Sequence, residues 1–407
     1  MRGIVWLVLG LGSGLAALVG IAGCGERRAD VSPPAPSPSA PADASSAVPV
    51  APSASVSVPA SARAPETAAA AASPPRVTLA AEGDVFEVVD LHVDTPWRVH
   101  FKGRPKSLPE GHATPDKVRE GRYAAMVHVI YIPDYIHDWK PGVADAEAIF
   151  DTIDGLVAAH PTFVPAVVHG TRAVVPPDDV AIFFAIEGAG AFAADVTAID
   201  RFIARGVRLV GPVHAHDNAL ASSATGERAK KKGGGGLTDV GKRFCARVYE
   251  RGALVDVSHM SDRAFEDLVP IAERYGAPIV ATHSNARAVR GHPRNLPDEH
   301  LEIIRRTGGV AGLNFHRSFV RRGQVEMRHV VAMVDHMVKV AGIDAVAIGS
   351  DYDGGNPVGP LSDASQMPAL ARALLDAGYS PTDVRKIFGG NALRVLEWGG
   401  QATGPGE

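Results

Sequence analysis

The sequence predicts an α/β fold, a (β/α)8 TIM barrel, and two observations carry the prediction. Eight apolar runs rich in β-branched residues recur between positions 85 and 350 of the 407-residue chain, with segments of helical spacing between them. Near-continuous apolar strands are typical of a parallel sheet that is covered on both faces. Each run also leads into a polar residue, and the C-terminal strand ends are where a barrel carries its catalytic groups.

The elements follow one another in the order that such a barrel requires. The predicted strands are 85–91, 124–131, 181–186, 207–213, 253–258, 278–282, 309–315 and 345–350. Helical spacing of apolar residues predicts helices at 239–249, 262–274 and 330–340. An open doubly wound sheet would give the same alternation. However, no glycine-rich phosphate loop follows the first strand, and polar residues on so many strand ends would not converge at one switch point, so the barrel is favoured.

Histidine and carboxylate side chains at the strand ends form a candidate metal site. His92 and Asp94 follow the first strand two residues apart, so their side chains point the same way and can face one ion. Glu187, His259 and His283 end three later strands. Imidazole nitrogen with carboxylate oxygen suits zinc, although manganese, cobalt or iron accept similar ligands. A single one of these histidines would more often be a core or loop residue, and only the combination predicts metal binding.

Two more polar residues belong to the same pattern of strand ends. His214 and Asp351 end two further strands and are therefore candidates for the same site. His128 instead lies inside the second apolar run, and we interpret it as a core or barrel-lining residue.

Composition is that of a globular protein, with 46% hydrophobic and 21% charged residues and enough length to bury a large core. The net charge is −4, and the basic run Lys230-Lys231-Lys232 is followed by glycines, which indicates a solvated loop and not a nucleic-acid-binding surface. The two cysteines are Cys24 and Cys245, so we expect no disulfide framework.

The first residues resemble a bacterial lipoprotein signal peptide. Met1-Arg2 precedes an apolar stretch at 4–22, and Cys24 follows Ile21-Ala22-Gly23 where a lipobox places its cysteine. Cleavage would leave Cys24 as a lipidated N-terminus and would anchor an exported protein to the bacterial membrane, at the outer membrane and periplasm or at the cell surface. An uncleaved membrane helix and an ordinary secretory signal are the alternatives, since the stretch is just long enough to span a bilayer.

The predicted domain organisation follows from these composition shifts. Residues 1–23 form the signal peptide, and 24–77 form a linker dominated by Ala, Pro, Ser and Val. Such a tract cannot bury enough apolar surface to offset its ordering entropy, so we expect a flexible tether. The catalytic barrel domain spans 78–400, and 401–407 form a tail.

Ten sequence blocks in the barrel region resemble the membrane (renal) dipeptidase family of zinc peptidases, whose fold is a TIM barrel of the metallo-dependent hydrolase type. The blocks are DLHVDTPW at 90–97, REG at 119–121, IEG at 186–188, HAHDN at 214–218, GLTDVG at 236–241, VDVSHMS at 255–261, THSNA at 282–286, PRNL at 293–296, GSDYDG at 349–354 and GGNALRVL at 389–396. They occur in the family's order over residues 85–396, which makes a chance match very improbable.

The resemblance implies a binuclear zinc site. His92 and Asp94 would bind one ion, His259 and His283 the other, and Glu187 would bridge both. Two cations a few Å apart lower the pKa of a water between them toward neutrality, and the resulting hydroxide would be the nucleophile.

The resemblance also implies three further roles. His214 would contact the scissile carbonyl, Arg294 would bind the substrate's C-terminal carboxylate, and Asp351 would be the catalytic acid and base. His216 competes with His214 for its role, but the spacing of the block to Asn218 favours His214. The family relation also allows a homodimer.

The leading hypothesis is therefore a lipid-anchored zinc dipeptidase that hydrolyses the peptide bond of dipeptides, with D-residues tolerated in the second position. The alternatives are a barrel amidohydrolase acting on N-acyl amino acids or lactams, and a non-catalytic binding lipoprotein. The intact ligand set argues against a binding protein, which gains nothing from holding two cations beside a general base.

Overall fold

The structure is a computed structural model that describes Leu79, Gly83 and residues 85–399, except 135–139, 169–170, 173–174, 177 and 233. The predicted signal peptide, Cys24, the linker and the tail lie outside the described residues, so these assignments stay predictions. None of the helices in the described part of the chain combines the length and the apolarity needed to cross a bilayer.

Eight parallel strands form a ring. They are β1 (Val88–Val93), β2 (Tyr123–Tyr131), β3 (Val180–Glu187), β4 (Val207–Gly211), β5 (Leu254–Val255), β6 (Val280–Ala281), β7 (Val310–Leu313) and β8 (Val346–Ile348). Paired neighbours run in the order β5-β4-β3-β2-β1-β8-β7-β6. A parallel bridge between Asp256 and Val280 joins the end of β5 to β6 and closes the ring, which confirms the predicted barrel.

All eight predicted strands are present, with shifted ends. β3 is buried at every residue, and seven consecutive residue pairs join it to β2. β5 and β6 retain only two residues each of the predicted runs 253–258 and 278–282, because the chain turns immediately after them. The short strand Phe163–Pro165 pairs with β3, and Val167–Val168 pairs with Thr171–Arg172 in a separate antiparallel hairpin.

Helices connect the strands. The α-helices are Thr95–His100, Pro115–Glu120, Val143–Ala158, Ile199–Arg205, Asp239–Glu250, Asp262–Arg274, Asp298–Arg306, Arg317–Val320, Met327–Ala341, Met367–Asp376, Pro381–Arg385 and Asn391–Leu396. Short 3-10 turns span Ala189–Ala193, Val196–Ala198, Ile343–Ala345, Gly359–Leu361 and Ala364–Gln366, and a π turn spans Lys386–Gly390. The three predicted helices are confirmed as Asp239–Glu250, Asp262–Arg274 and Met327–Ala341.

Two of these helices begin at caps that the sequence supplies. The Thr238 hydroxyl accepts a hydrogen bond from Gly241 N at 3.0 Å, and the Ser261 hydroxyl accepts one from Ala264 N at 3.1 Å. A Ser or Thr N-cap typically contributes about 1 kcal/mol to helix stability. Because Ser261 follows His259 by two residues, its cap also fixes the loop that carries this histidine.

Aromatic side chains fasten the helix Val143–Ala158 to the barrel. Phe150 is fully buried, and its ring centroid lies 5.0 Å from that of Phe184 on β3 and 6.1 Å from that of Phe202. Large buried side chains of this kind dominate the apolar area that folding removes from water. The core therefore holds β2 and β3 in place, and with them the residue that ends β3, Glu187.

Candidate metal centre

The structure brings the five predicted ligands together at the C-terminal end of the barrel. His92 Nε2 lies 3.3 Å from Asp94 Oδ2 and 3.8 Å from Glu187 Oε2. His259 Nε2 and His283 Nε2 lie 3.0 and 3.6 Å from the other carboxylate oxygen, Glu187 Oε1. These residues come from four different strands, yet their donor atoms converge on one carboxylate.

Glu187 is the centre of this arrangement. One of its oxygens faces His92 and the other faces His259, so its carboxylate separates two groups of donor atoms. Donors of His92, Asp94 and Glu187 lie within 4.8 Å of one another, and so do donors of Glu187, His214 and His259. His214 thus shares the second group with the predicted ligand His259, whose Nε2 is also 3.0 Å from the Nε2 of His283.

Asp94 is held at a junction between strand and helix. It follows β1 directly and precedes the helix Thr95–His100, whose proline near the N-terminus favours a helix start at this point. The backbone N–H of Asp94 donates to Tyr352 O at 2.8 Å, which ties this junction to the loop after β8. Asp351 lies in that loop, so this hydrogen bond helps to fix the position of the Asp94 carboxylate relative to that of Asp351.

Two residues of the site have left-handed backbone conformations. His259 has φ 71° and Asp351 has φ 63°, in a region that non-glycine residues rarely adopt. Such strain persists only where the surroundings impose it, and it concentrates at functional sites. Gly354 packs against the same place, since a Cβ there would collide with carboxylate oxygens of Asp94 and Asp351. Only glycine fits this position.

The carboxylates are buried close together, and this perturbs their protonation. Burial, followed by the charge of Asp94, raises the pKa of Asp351 to about 7, and burial also raises the pKa of Glu187. Burial opposes a charge on His92, but the carboxylates of Asp94 and Glu187 outweigh it and raise its pKa to about 10. Like charges held together out of water are costly unless a cation accompanies them.

This donor set fits divalent cations. Glu187 Oε1 is buried and receives no hydrogen bond from the described residues, and the atoms that face it are the Nε2 atoms of His259 and His283, which are themselves possible metal donors. Three carboxylates and several imidazoles around it offer the nitrogen and oxygen donors that borderline divalent metals prefer.

His214 forms part of the cavity wall, whereas His216 does not. The Tyr131 hydroxyl lies 3.4 Å from His214 Nδ1, and the His214 and His259 ring centroids are 4.3 Å apart. Burial opposes a charge on His214, but Glu187 and Asp134 outweigh it and raise the pKa of the imidazole. The side chain of His216 is 59% exposed and pairs with Asp134 at 3.3 Å.

Arg294 lies next to the backbone of His283. Its side chain is buried, its Nη2 atom is 3.5 Å from His283 O, and its guanidinium lies 5.6 Å from the ring centroid of Phe319. No hydrogen bond partner for its Nε exists among the described residues. A buried guanidinium with an unpaired N–H can bind a carboxylate.

Several buried polar residues that hold this site were missed in the sequence. Asn314 donates to Asp351 Oδ2 and to His283 O, both at 3.2 Å. The feature of the sequence that could have pointed to Asn314 is its polar side chain within the apolar run 309–315. The Thr282 hydroxyl contacts the Nδ1 atoms of His92 and His283, and Asp256 contacts Thr282, as described below. Asp353 accepts hydrogen bonds from the Thr95 hydroxyl and His112 N, and so supports the turn that follows Asp351.

The donors line a small cavity of about 180 Å³ at the mouth of the barrel. Its walls are Asp94, Trp97, Tyr131, Glu187, His214, His259, His283, Asp351 and Gly354. A buried acid with a pKa near 7, a cluster of metal donors and an imidazole on one wall are the groups needed for metal-assisted hydrolysis. A parallel barrel with this site at its C-terminal strand ends defines the class of barrel metallo-hydrolases.

Comparison with known proteins narrows the class. The chain belongs to the membrane dipeptidase family, peptidase family M19, whose family model matches residues 83–402. It is therefore a metallo-dipeptidase, and the predicted family, fold and enzyme class are confirmed.

Two solved structures agree with this assignment, and a curated relative is similar over about half of the chain. A metallo peptidase from Rhodobacter sphaeroides, liganded with a phosphinate mimic of the dipeptide L-Ala-D-Ala, is 27% identical with a TM-score of 0.66, over 77% of this chain and 99% of that one. A metallo peptidase of family M19 described as dipeptidase AC is also 27% identical, with a TM-score of 0.66, over 77% and 98% of the two chains. An uncharacterized protein in the pqqA 5' region of Klebsiella pneumoniae is 37% identical over 218 residues, 52% of this chain and 79% of that protein.

Proposed function

We propose that this enzyme is a zinc-dependent dipeptidase with a binuclear site that Glu187 bridges. The single observation that carries the proposal is the position of the Glu187 carboxylate. Its Oε2 faces His92 at 3.8 Å, and its Oε1 faces His259 and His283 at 3.0 and 3.6 Å. A carboxylate whose two oxygens face different imidazoles is suited to bridge two cations.

Zinc is the metal that this donor set favours, because borderline imidazole nitrogens combine with carboxylate oxygens. Manganese, cobalt and iron accept similar ligands and are the alternatives. Two such cations would supply an activated water at neutral pH and would polarise the scissile carbonyl.

Asp351 is the residue that we assign to proton transfer. Burial and the charge of Asp94 raise the pKa of its carboxyl group, which favours a group that can both accept and release a proton. Asn314 donates to its Oδ2 at 3.2 Å and so fixes its orientation. Asp351 would take a proton from the attacking water and return it to the leaving amine nitrogen.

His214 and Arg294 are assigned to the substrate. An N–H of the His214 ring would donate to the carbonyl oxygen as negative charge develops there, an effect typically worth about 3 kcal/mol. The buried guanidinium of Arg294 would bind the terminal carboxylate, in the bidentate geometry that arginine favours. Together they select a substrate with a free C-terminus one residue beyond the scissile bond.

The substrate class follows from the size and walls of the site. A cavity of about 180 Å³ with Trp97 and Tyr131 on its walls has room for a small dipeptide. The relative from R. sphaeroides is liganded with a mimic of L-Ala-D-Ala, which supports tolerance of a D-residue in the second position. N-acyl amino acids and lactams are the alternative substrates.

Metal analysis with a substrate panel tests the proposal. Elemental analysis of protein purified without chelators is expected to find about two zinc ions per chain, and finding none would exclude the mechanism. A panel of L,L-dipeptides, L,D-dipeptides and N-acyl amino acids is expected to show turnover of the dipeptides. Turnover of the N-acyl compounds alone would favour the amidohydrolase alternative.

We also propose that the enzyme is exported and anchored to the bacterial membrane by lipid on Cys24. The support is the lipobox-like sequence before this cysteine. Cys24→Ala is expected to move the protein from the membrane fraction to the soluble fraction. Continued membrane attachment of this variant would favour an uncleaved helix. The homodimer that the family relation allows stays a prediction, which light scattering of the purified protein would check.

A further inference from the structure

We propose that Asp256 and Thr282 form a relay that sets the ring tautomer of both His283 and His92, so that one hydroxyl prepares a histidine in each half of the metal centre. Both are positioning residues, since they act through the imidazoles. The inference rests on the proposed metal centre, and nothing in the family assignment specifies it.

The relay is a chain of short contacts behind the ligands. The Thr282 hydroxyl donates to Asp256 Oδ2 at 2.6 Å. The hydroxyl oxygen, Thr282 Oγ1, also lies 2.8 Å from His283 Nδ1 and 3.3 Å from His92 Nδ1. Thr282 is completely buried, Asp256 is nearly so, and the two imidazole ring centroids are 3.8 Å apart.

The proton count decides the tautomer. A hydroxyl has one hydrogen, and Thr282 gives it to the Asp256 carboxylate. The remaining lone pairs of Thr282 Oγ1 can only accept, so the facing Nδ1 atoms of His283 and His92 must carry hydrogens. When a cation binds and replaces the second ring hydrogen of His92, the Nε2 atoms of both rings would present lone pairs on the side that faces Glu187.

Asp256 is itself fixed rigidly. Its Oδ1 accepts hydrogen bonds from Ser258 N and Thr282 N, both at 2.9 Å. These bonds join the ends of β5 and β6, the strands that lead into His259 and His283. The carboxylate therefore has no freedom to turn away from the Thr282 hydroxyl. By contrast, His259 Nδ1 has no hydrogen bond partner among the described residues, so the relay serves only two of the three histidines.

The Thr282 hydroxyl is shared by His92 and His283, and this has a consequence that a separate hydrogen bond partner for each histidine would not have. Because one hydroxyl contacts a histidine from each half of the site, its loss should weaken the binding of both ions together. Partners behind metal ligands are typically worth about 10- to 100-fold in metal affinity.

Metal affinity of full-length variants is the first test, measured by competition with a chromophoric zinc chelator. Thr282→Val keeps the side-chain shape without the hydroxyl and is expected to weaken both zinc sites about 10- to 100-fold. Thr282→Ser keeps the hydroxyl and is expected to restore most of that loss. Ser258→Ala is the matched control. It removes a neighbouring buried hydroxyl that accepts from His283 N but contacts no imidazole nitrogen, and it is expected to have a smaller effect than Thr282→Val.

Asp256→Asn is the more discriminating variant, because it changes the group to which the Thr282 hydroxyl donates its hydrogen. The Asn carbonyl would keep the two backbone hydrogen bonds, and its amide would donate to Thr282. The single Thr282 hydrogen would then point at one imidazole, and the nearer nitrogen, His283 Nδ1 at 2.8 Å, would accept it, so the His283 ring would carry its own hydrogen on Nε2. We expect Asp256→Asn to weaken zinc binding more than Thr282→Val does.

The tautomer can also be read without metal. In the metal-free full-length protein burial lowers the pKa of His283 well below its ordinary value, so the ring is neutral at pH 7. Its 15N NMR shifts are expected to show the proton on Nδ1 in the wild type and on Nε2 in Asp256→Asn. A wild-type ring protonated on Nε2 would overturn the relay.

Other results also overturn it. They are wild-type affinity in Thr282→Val, an equal loss in Ser258→Ala, or a loss confined to one ion. A wild-type protein that binds no zinc would instead defeat the proposed function, and the NMR result would still decide the tautomer.

Discussion

β2 and β3 are held together by apolar burial, whereas the ends of β5 and β6 are held by buried polar groups. Seven consecutive residue pairs join β2 to β3, and nearly all their side chains are buried and apolar. β5 and β6 have two residues each, and the Asp256 carboxylate joins their ends through hydrogen bonds to Ser258 N and Thr282 N. Glu187, the last residue of β3, is where the two regions meet.

This difference shows that apolar burial supplies stability in one region of the barrel, whereas buried polar groups position the atoms of the candidate site in the other. Apolar burial is non-directional and tolerates small changes of position, so it can stabilise the β2–β3 region without fixing atoms finely. Ligand atoms need fixed directions, and buried hydrogen bonds supply them at the cost of desolvating charged groups. The polar end should therefore lose function when altered, and the apolar region should lose stability.

The largest effect is expected from Glu187→Gln. A neutral amide cannot bridge two cations, and losing several kcal/mol of metal assistance should lower kcat/KM about a thousandfold or more. Steady-state kinetics measure the loss, and retained activity would contradict the bridging role of Glu187.

Asp351→Asn separates proton transfer from metal binding. We expect kcat to fall by about 10²- to 10⁴-fold, the usual contribution of a general acid and base, while zinc content stays at the wild-type level. Kinetics and elemental analysis of the same preparation check this. Wild-type turnover would contradict the role of Asp351, and lost zinc would place it among the ligands instead.

Phe150→Ala probes the apolar region. The fully buried ring packs on Phe184 and Phe202, so its removal should cost about 3 to 5 kcal/mol in the free energy of unfolding. Urea denaturation measures the loss. Zinc stoichiometry and kcat at 20 °C should be unchanged, and a fall in kcat comparable to that of Asp351→Asn would show that the two regions are not separable.

The smallest effect is expected from His128, a polar exception within the apolar region. It is completely buried on β2, both ring nitrogens lack a hydrogen bond partner in the described part of the chain, and burial lowers its pKa to about 3. Its ordinary pKa is 6.5. Stability from the neutral ring is thus fully present above pH 6.5 and is lost as the pH falls toward 3, by about 1.4 kcal/mol per pH unit.

His128→Met should remove this acid sensitivity. Between pH 7 and pH 5 the free energy of unfolding of the wild type should fall about 2 kcal/mol more than that of the variant. Urea titrations at both pH values give the difference, and parallel pH dependences would show that His128 does not titrate on unfolding.

Much of the fold, and the residues that meet at the candidate site, could be predicted because each rests on local sequence. The eight apolar runs predicted the barrel strands, since a buried parallel strand must be apolar on both faces. Strand periodicity predicted that the side chains of His92 and Asp94 point the same way. The ends of β5 and β6 were predicted too long, because nothing local shows that the chain turns where Asp256 and Thr282 bond across the strands.

The sequence by itself determined the strands, the helices and the candidate site residues, because periodicity and residue type act over a few neighbouring positions. Only the tertiary structure decided that the ring closes between β5 and β6, that Glu187 faces two groups of histidines, and that the Thr282 hydroxyl touches both His92 and His283. Those contacts join residues up to 190 positions apart. Such distances are set by the packing of whole strands, and no local pattern encodes them.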